Sequence, residues 1–245
     1  LRERNFFGVL TVSEVRTDDP PRYQLELSSG STLHGVQLIR PAPRRPTAYF
    51  GFHTGIGFVM RARDPGARTA MGVVGLGAGT LAAYGRTGDD YRFYEIDPDV
   101  VAIARNESYF TYLADSSANL EIALGDARLS LESELAETGP QGFHLLVLDA
   151  FSSDAIPAHL LTAEAFELYL QHLRRDGVLA LHISNSNVDL APLVFRFAEE
   201  LEMYAIKIVS QQLPNRFQSR ATWLILHRDP EFIFSFPPLI ERRRA

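Results

Sequence analysis

The sequence predicts an α/β protein with a doubly wound, mostly parallel sheet, preceded by a small N-terminal antiparallel β-subdomain. Three observations lead to this prediction. From about Met71 onward, short apolar runs alternate with stretches of helical periodicity, which is typical of a parallel sheet covered by helices. A glycine-rich turn at residues 75–79 follows the first of these runs, and an acidic residue, Glu95, closes the second. The first sixty residues alternate apolar and polar side chains between short turns, as antiparallel meanders do.

Composition restricts the class of protein. The chain has 245 residues, 46% of them apolar, which is enough for one sizeable core with a small appended subdomain. A formal net charge of −6 argues against a nucleic-acid partner, and the lack of cysteine excludes disulfides and thiolate metal sites. No apolar run approaches the ~20 residues of a membrane span and no signal-peptide pattern is present, so we expect a cytoplasmic domain. Since the first residue is Leu1 rather than Met, we also expect a longer parent chain.

The N-terminal segment, residues 1–60, is predicted to be the β-subdomain with its connector. Residues 6–15 are rich in β-formers, residues 23–27 alternate apolar and polar side chains, and residues 32–39 are extended again after a Ser-Ser-Gly-Ser turn. The proline-rich stretch 41–46 is compatible with neither a helix nor a central strand, so we interpret it as the connector.

The remaining residues, 61–245, are predicted to form the doubly wound domain. Its strands are predicted at 71–75, 91–96, 120–124, 143–149 and 177–183, and its helical stretches at 80–87, 98–108, 127–137, 162–175 and 189–202. Residues 204–209 and 221–227 are two further strands without a helix between them, which predicts an antiparallel hairpin at the sheet edge. The basic tail 242–244 is predicted to be a solvated end.

Ligands of open α/β sheets bind at the carboxyl ends of the strands, and here those ends carry glycine or acid. The residues that follow the first four strands are Gly75, Gly77 and Gly79, then Glu95 and Asp97, then Asp126, and finally Asp149. The glycines let the backbone approach a nucleoside closely, and Glu95 is placed to accept hydrogen bonds from two ribose hydroxyls. The sequence therefore predicts a nucleoside site at this edge.

The other acids each have a structural interpretation as well. Asp97 precedes Pro98 and is more simply a helix N-cap than a ligand contact. For Asp126, capping of the helix that begins at Ala127 and contact with a ligand are equally good interpretations. Asp149 ends a strongly apolar strand, which favours a place over the cleft.

The seven histidines show no metal-ligand spacing, so no metal site is predicted. His159 and His182 lie near the predicted cleft. For each of them a structural, hydrogen-bonded role is favoured over a functional one.

The spacing of the glycines also indicates the kind of nucleoside. A dinucleotide site needs glycine or alanine where this chain has Thr80. The Gly-x-Gly-x-Gly turn with a downstream Gly-Asp-Ala fits an adenosyl sulfonium better, with one acid on the ribose and another on the adenine amino group. This predicts a Rossmann-like sheet of the methyltransferase type.

A further segment extends this pattern. Residues 149–157 read Asp-Ala-Phe-Ser-Ser-Asp-Ala-Ile-Pro and are followed by His-Leu-Leu-Thr after one alanine. With the β-subdomain, the glycine turn, the Glu-Ile-Asp and the Gly-Asp in this order, the chain resembles the polyamine aminopropyltransferase (spermidine synthase) family. It looks most like the divergent bacterial branch in which such a domain is joined to membrane segments.

The resemblance implies transfer of an aminopropyl group from decarboxylated S-adenosylmethionine to a putrescine-like amine, without a metal, because the sulfonium is already activated. It also implies a homodimer, and membrane segments outside this chain. The implied site residues are Glu95 on the ribose, Asp126 and Ala127 at the adenine, Pro157 in the adenine pocket, Asp149 as proton acceptor, Asp154 on the acceptor amine and Tyr49 at the substrate mouth.

Several positions depart from the family pattern. Ala78 stands where the glycine turn usually carries an aspartate, Phe50 replaces a histidine, and the loop 149–154 is two residues longer than usual. The residues expected at the donor site therefore match the family pattern more fully than those expected at the acceptor site. Two alternatives stay open: an S-adenosylmethionine-dependent methyltransferase, and a catalytically degenerate nucleoside-binding or sensor domain. The two donors differ by a carboxylate, which a methyltransferase must satisfy with N–H groups or a basic side chain.

Overall fold

The computed structural model describes residues 1–18, 21–40, 44–150, 156–184, 188–213, 217–236 and 241–243. The first four strands are β1 (Arg2–Arg4), β2 (Val9–Asp18), β3 (Pro21–Ser29) and β4 (Thr32–Arg40). They form an antiparallel sheet in the order β1-β2-β3-β4, in which the Ser29–Thr32 pair closes the β3–β4 hairpin. The antiparallel meander predicted from the alternation of residues is confirmed.

A second sheet has eight strands in the described part of the chain, in the order β12-β10-β11-β9-β8-β5-β6-β7. These strands are β5 (Ala70–Val74), β6 (Asp90–Glu95), β7 (Asn119–Leu124), β8 (Phe143–Leu148), β9 (Leu173–His182), β10 (Tyr204–Ser210), β11 (Ala221–His227) and β12 (Glu241–Arg243). Strands β5 to β9 are parallel, and β10, β11 and β12 pair antiparallel. The predicted Rossmann-like, mostly parallel fold is confirmed.

The described helices are α1 (Gly55–Ala62), α2 (Pro98–Arg105), α3 (Ala127–Glu137), α4 (Ala163–His172), α5 (Ala191–Glu200) and α6 (Pro230–Phe234). Strand β8 has apolar side chains packed on both faces of the second sheet. Leu145 and Val147 belong to a core shared with β3 and α1, whereas Leu146 and Leu148 belong to a core shared with α4 and α5. Because both faces are buried, the strand reads as a continuous apolar run.

Several local predictions differ from the structure; α4, for example, ends at His172, whereas the helix was predicted to extend to residue 175. The helix predicted at 80–87 is only a short 3-10 helix, Thr80–Tyr84, because Gly85 packs so closely against Ser116 and Ala118 that the chain turns away there. The tail also differs, since Glu241–Arg243 pairs with β10. The β10–β11 hairpin therefore lies one strand inside the edge of the described sheet.

The first sheet is fastened onto the second by hydrogen bonds from β4. The side-chain amide of Gln37, which is fully buried, donates to Thr111 Oγ1 and accepts from Thr111 N–H, both at 2.7 Å. The Ala78 N–H of the glycine turn donates to the His34 carbonyl at 3.3 Å. The N-terminal sheet thus lies directly against the turn at the carboxyl end of β5.

This close contact makes Gly77→Ala a sharp test. Gly77 has a φ of 53°, and a Cβ there would overlap the His34 carbonyl oxygen, whereas Gly30 has a φ of 57° and open space around it. We expect Gly30→Ala to lower the free energy of unfolding by about 1–2 kcal/mol, because alanine is strained in the left-handed conformation. Gly77→Ala should lower it by about 1–3 kcal/mol more, because the added Cβ would also clash. Urea denaturation of both variants measures the difference; equal losses would contradict a rigid contact between β4 and the turn.

Candidate functional site

A cavity with an empty volume of about 890 Å³, counting the space at its mouth, lies at the carboxyl ends of β5, β6, β7 and β8. The ends of these strands, with the loops and helices that follow them, line it with Val74, Gly75, Leu76, Gly77, Tyr94, Glu95, Ile96, Asp97, Val100, Gly125, Asp126, Ala127, Asp149, Ala150, Pro157, His159 and Leu160. The N-terminal segment adds Phe7, Leu10, Ser29 and His34, which cover the cavity from the other side.

The glycine turn brings bare backbone to the cavity at Gly75 and Gly77. Most N–H groups of this turn already have protein acceptors. Gly75 N–H donates to Tyr94 O at 2.8 Å, Leu76 N–H to Glu95 Oε2 at 2.9 Å, Ala78 N–H to His34 O at 3.3 Å and Gly79 N–H to Leu76 O at 2.9 Å. The turn is therefore a close-fitting wall rather than an open set of donors for an anion.

Glu95 is held at the end of β6 with only 8% of its surface exposed. Its two carboxylate oxygens accept from Leu76 N–H at 2.9 Å and from Asp97 N–H at 3.0 Å. Burial raises the pKa of Glu95 above its usual range, and these N–H groups act in the opposite direction. A carboxylate has about four lone-pair sites, so two remain for donors such as a pair of ribose hydroxyls.

Asp126 caps a helix, as one interpretation of its sequence position predicted, and it also lines the cavity, so contact with a ligand stays a prediction. Its Oδ1 accepts from Leu129 N–H at 3.1 Å as the N-cap of α3, and its Oδ2 lies 2.8 Å from His159 Nε2. Asp97 behaves in the same way. It caps α2 by accepting from Asp99 N–H at 2.9 Å and also accepts from the Asn5 side-chain amide at 2.7 and 2.8 Å.

Asp149 follows β8 and is joined to a buried histidine. Its Oδ1 lies 2.6 Å from His182 Nδ1, and His182 Nε2 lies 2.8 Å from Ser184 Oγ. The histidine ring is stacked between Tyr49, at a centroid distance of 4.4 Å, and Trp223, at 4.8 Å. Of these residues, Asp149 is the one that lines the cavity.

Register could have revealed this pair from the sequence. Leu148 of β8 lies opposite Leu181 of β9 in the parallel ladder, so the next residue of each strand, Asp149 and His182, comes side by side. The strand boundaries predicted from sequence extended β8 through residue 149 and β9 through residue 183, which hid this alignment.

The predicted site residues divide into three groups. The structure brings seven of them to one cavity: Gly75, Gly77, Glu95, Asp126, Ala127, Asp149 and Pro157. Two lie off it, since Gly79 packs against Leu113 and Tyr49 lies buried behind Asp149 on the His182 ring. Burial, and secondarily the Asp149 charge, raises the pKa of Tyr49. Asp154 falls outside the described residues.

The charge of the cavity is one-sided. Among the described residues that line it are four carboxylates, Glu95, Asp97, Asp126 and Asp149, together with two histidines and no lysine or arginine. Such a wall favours a ligand with positive charge and no carboxylate. The described residues contain no group of three or more His, Cys, Asp or Glu side chains arranged for a metal ion.

Fold and site together define a class: a Rossmann-like domain of the methyltransferase type with a candidate nucleoside cavity whose charge suits a cation. Over 112 residues the chain is 34% identical to the polyamine aminopropyltransferase of Vibrio vulnificus (strain CMCP6), a match that covers 44% of this chain and 35% of that protein. The match thus spans about a third of the relative's length. No family model matches the chain.

Solved structures share the fold. The structure of a probable spermidine synthase from Corynebacterium glutamicum aligns over 93% of this chain and 79% of its own, with a TM-score of 0.68 and 15% identity. A spermidine synthase in complex with the transition-state analogue AdoDATO aligns over 100% and 81%, with a TM-score of 0.63 and 12% identity. The structure of human methyltransferase-like protein 13 in complex with SAH aligns over 72% of this chain and 81% of its own, with a TM-score of 0.56 and 18% identity. The expected resemblance to polyamine aminopropyltransferases is confirmed, and the spermidine synthase fold covers the whole chain.

Proposed function

We propose that this chain is the transferase domain of an aminopropyltransferase-like enzyme, which moves an aminopropyl group from decarboxylated S-adenosylmethionine to a small, putrescine-like amine. One observation carries the proposal: the described wall of the cavity has four carboxylates and no lysine or arginine. A sulfonium that bears an amine, but no carboxylate, is the nucleoside that such a wall favours. The similarity to a polyamine aminopropyltransferase supports the same reaction.

Each cavity residue receives a role in this proposal. Glu95 accepts the ribose hydroxyls through its two remaining lone-pair sites, and Asp126 with Ala127 meets the adenine, against Pro157. Glu95 ends β6, and Asp126 and Ala127 follow β7, so the proposed contacts with the donor are held by strands that are fixed in the parallel sheet. Asp154 is proposed to bind the acceptor amine.

The role proposed for Asp149 follows from the positive charge of the acceptor amine. An alkylammonium has a pKa of about 10.4 and carries no lone pair, so a proton must leave before attack. The carboxylates draw the cation in, and Asp149 accepts the proton. The amine nitrogen then bonds to the carbon beside sulfur, the carbon–sulfur bond breaks, and its electron pair leaves on methylthioadenosine.

Methyl transfer from S-adenosylmethionine is the second candidate, and a specific contact favours it. Ala78 is 1% exposed, and a Cβ on Gly35 would lie 2.5 Å from the Ala78 Cβ, so β4 packs where the family usually has an aspartate that helps to bind the amines. His34, whose carbonyl accepts from the Ala78 N–H, lines the cavity, and a histidine side chain is able to carry a positive charge toward a carboxylate. A nucleoside-binding domain without turnover is the third alternative.

One assay separates these candidates. The protein is incubated with putrescine and either donor, and the nucleoside product is identified by mass spectrometry. Methylthioadenosine from the decarboxylated donor is the expected result. S-adenosylhomocysteine formed with an added acceptor would establish methyl transfer instead, and nucleoside binding without either product would establish the third alternative.

The pH dependence of nucleoside binding tests the role of Glu95. Ribose hydroxyls donate to the ionised carboxylate, and a raised pKa means that Glu95 becomes protonated at a higher pH than an ordinary glutamate, whose pKa is about 4.3. Affinity for methylthioadenosine is therefore expected to fall as the pH is lowered, and to fall before an ordinary glutamate would titrate. Calorimetric titration of the wild type and Glu95→Gln measures this. The variant should bind more weakly and lack that step; a step of unchanged size in Glu95→Gln would contradict the assignment.

Assembly belongs to the same proposal. Pairing into a homodimer, and a tether to membrane segments outside this chain, are predictions from the family resemblance. Every helix in the described ranges is too short or too polar to cross a bilayer.

A further inference from the structure

We propose that His182 is a positioning residue for Asp149, which fixes one carboxylate oxygen so that the other faces the acceptor amine. This inference rests on the proposed function, because it names what supports the proton acceptor of that reaction. The observation behind it is a continuous chain of hydrogen bonds from the cavity into the sheet. It runs from Asp149 through His182 and Ser184 to the backbone N–H of Thr222.

The carboxylate end of the chain sets the direction of its bonds. An ionised carboxylate can only accept, so His182 Nδ1 carries a proton and donates it to Asp149 Oδ1 at 2.6 Å. In the neutral ring Nε2 is then an acceptor, and the Ser184 hydroxyl donates to it at 2.8 Å. The Thr222 N–H donates to a lone pair of the same Ser184 oxygen at 2.8 Å, which leaves the hydroxyl proton available for the ring.

Packing holds the ring in this orientation. His182 is 4% exposed and lies nearly parallel to Tyr49 on one side, at 20°, and to Trp223 on the other, at 19°. Trp223 is itself fixed, because its indole N–H donates to the Tyr49 carbonyl at 3.1 Å. The imidazole therefore cannot tilt away from Asp149 without moving two buried aromatic rings.

Ser184, His182 and Asp149 are hydrogen-bonded in the order of a Ser-His-Asp triad. Here the aspartate, and not the serine, is the residue at the cavity. Asp149 lines the cavity, whereas the Ser184 oxygen accepts the Thr222 N–H at the other end. The carboxylate is therefore the group presented to a ligand, and the serine serves as an anchor for the imidazole. In a triad the serine would have to be the group at the substrate.

The kinetic test compares two replacements of His182. His182→Phe keeps an aromatic ring between Tyr49 and Trp223 but removes the donor, and we expect kcat to fall about 10- to 100-fold with little change in methylthioadenosine affinity. His182→Asn places an amide N–H near the Nδ1 position and should recover at least part of that loss. His172→Phe is the matched control, since His172 is fully buried in α4 and bonds the Leu131 carbonyl away from the cavity. It should lower stability and leave kcat unchanged.

A double-mutant cycle separates positioning from a general structural effect. If His182 acts through Asp149, the change His182→Phe should cost little further kcat in the Asp149→Asn background. An equal loss in both backgrounds, or no loss in the wild type, would overturn the proposal.

A spectroscopic readout is independent of turnover. Nitrogen-15 NMR of the wild type should show His182 protonated at Nδ1 and unprotonated at Nε2, with the Nδ1 proton shifted far downfield and its shift altered in Asp149→Asn. A ring protonated at Nε2 alone would overturn the proposal. If the wild type formed neither nucleoside product, the proposed function would fail while this spectrum still decided the hydrogen-bond geometry.

Discussion

Replacing Asp149 by asparagine is expected to lower turnover by about 100-fold or more while nucleoside affinity stays nearly unchanged. The amide has almost the shape of the carboxylate, but it cannot accept the proton of an alkylammonium. The proposed adenosine contacts come from Glu95, at the end of β6, and Asp126, after β7, and these residues are untouched by the change. Steady-state formation of methylthioadenosine measures turnover, and calorimetry with the same compound measures affinity.

Asp126→Asn is the matched comparison, because Asp126 lines the same cavity and differs in its proposed partner, the adenine. The expected result is the opposite pattern, in which nucleoside affinity falls more than kcat. Full turnover by Asp149→Asn would show that another group, or water, takes the proton, and the role given to Asp149 would be wrong.

Removal of the Asp89 carboxylate is expected to produce the largest loss of stability. Asp89 is 1% exposed and bonds the Arg63 guanidinium at 3.0 Å, the Tyr91 hydroxyl at 3.2 Å and the backbone N–H groups of Thr69 and Arg86. Asp89→Ala would leave a largely buried arginine without its counter-charge, at a cost of about 3–5 kcal/mol. For a domain of this size that corresponds to a melting temperature lower by about 6–20 °C.

The neighbouring residue supplies the control. Asp90 pairs with Arg68 at the surface, where 40% and 67% of the two side chains are exposed, so Asp90→Ala should cost about 0–1 kcal/mol. Scanning calorimetry of both variants gives the comparison. Similar losses in the two variants would show that the buried network contributes no more than a surface ion pair.

The hydrogen-bonded network around Asp89 should also affect how the stability of the protein falls in acid. Burial alone would raise the pKa of Asp89, but the N–H groups of Thr69 and Arg86 and the charge of Arg63 outweigh it, so the pKa is lowered. A lowered folded pKa contributes stability that is present above the unfolded value of about 3.9 and is lost as the pH falls through the folded pKa. The acid limb of the stability curve should therefore be shallower in Asp89→Asn.

Much of the second sheet could be predicted because a short window of sequence is enough to identify each of its main strands. The apolar runs that became β5 and β8, and the acid that closes β6, are buried on both faces or fixed at a strand end, so a short window contains the information. The sequence alone also predicts that Glu95, Asp126 and Asp149 lie at one edge of the sheet, because neighbouring parallel strands end at the same edge.

The remaining features depend on contacts between distant segments. Nothing local to residue 34 indicates that the His34 carbonyl meets the turn at Ala78, or that Phe7 covers a cavity formed by another sheet. The link between Asp149 and His182 needs an accurate register, and one residue of error in a strand boundary conceals it. Strand β12 was missed because an arginine-rich edge strand has no apolar alternation to identify it.

Since the cavity takes one wall from the antiparallel sheet and the other from the parallel sheet, a bound nucleoside would bridge the two halves of the molecule. Heat could not separate these halves without first expelling the bridging molecule. At a ligand concentration of about 100 times the dissociation constant, this coupling adds about 2.7 kcal/mol to the free energy of unfolding. Occupancy would thereby add a further link between two sheets that already share an apolar core and buried hydrogen bonds.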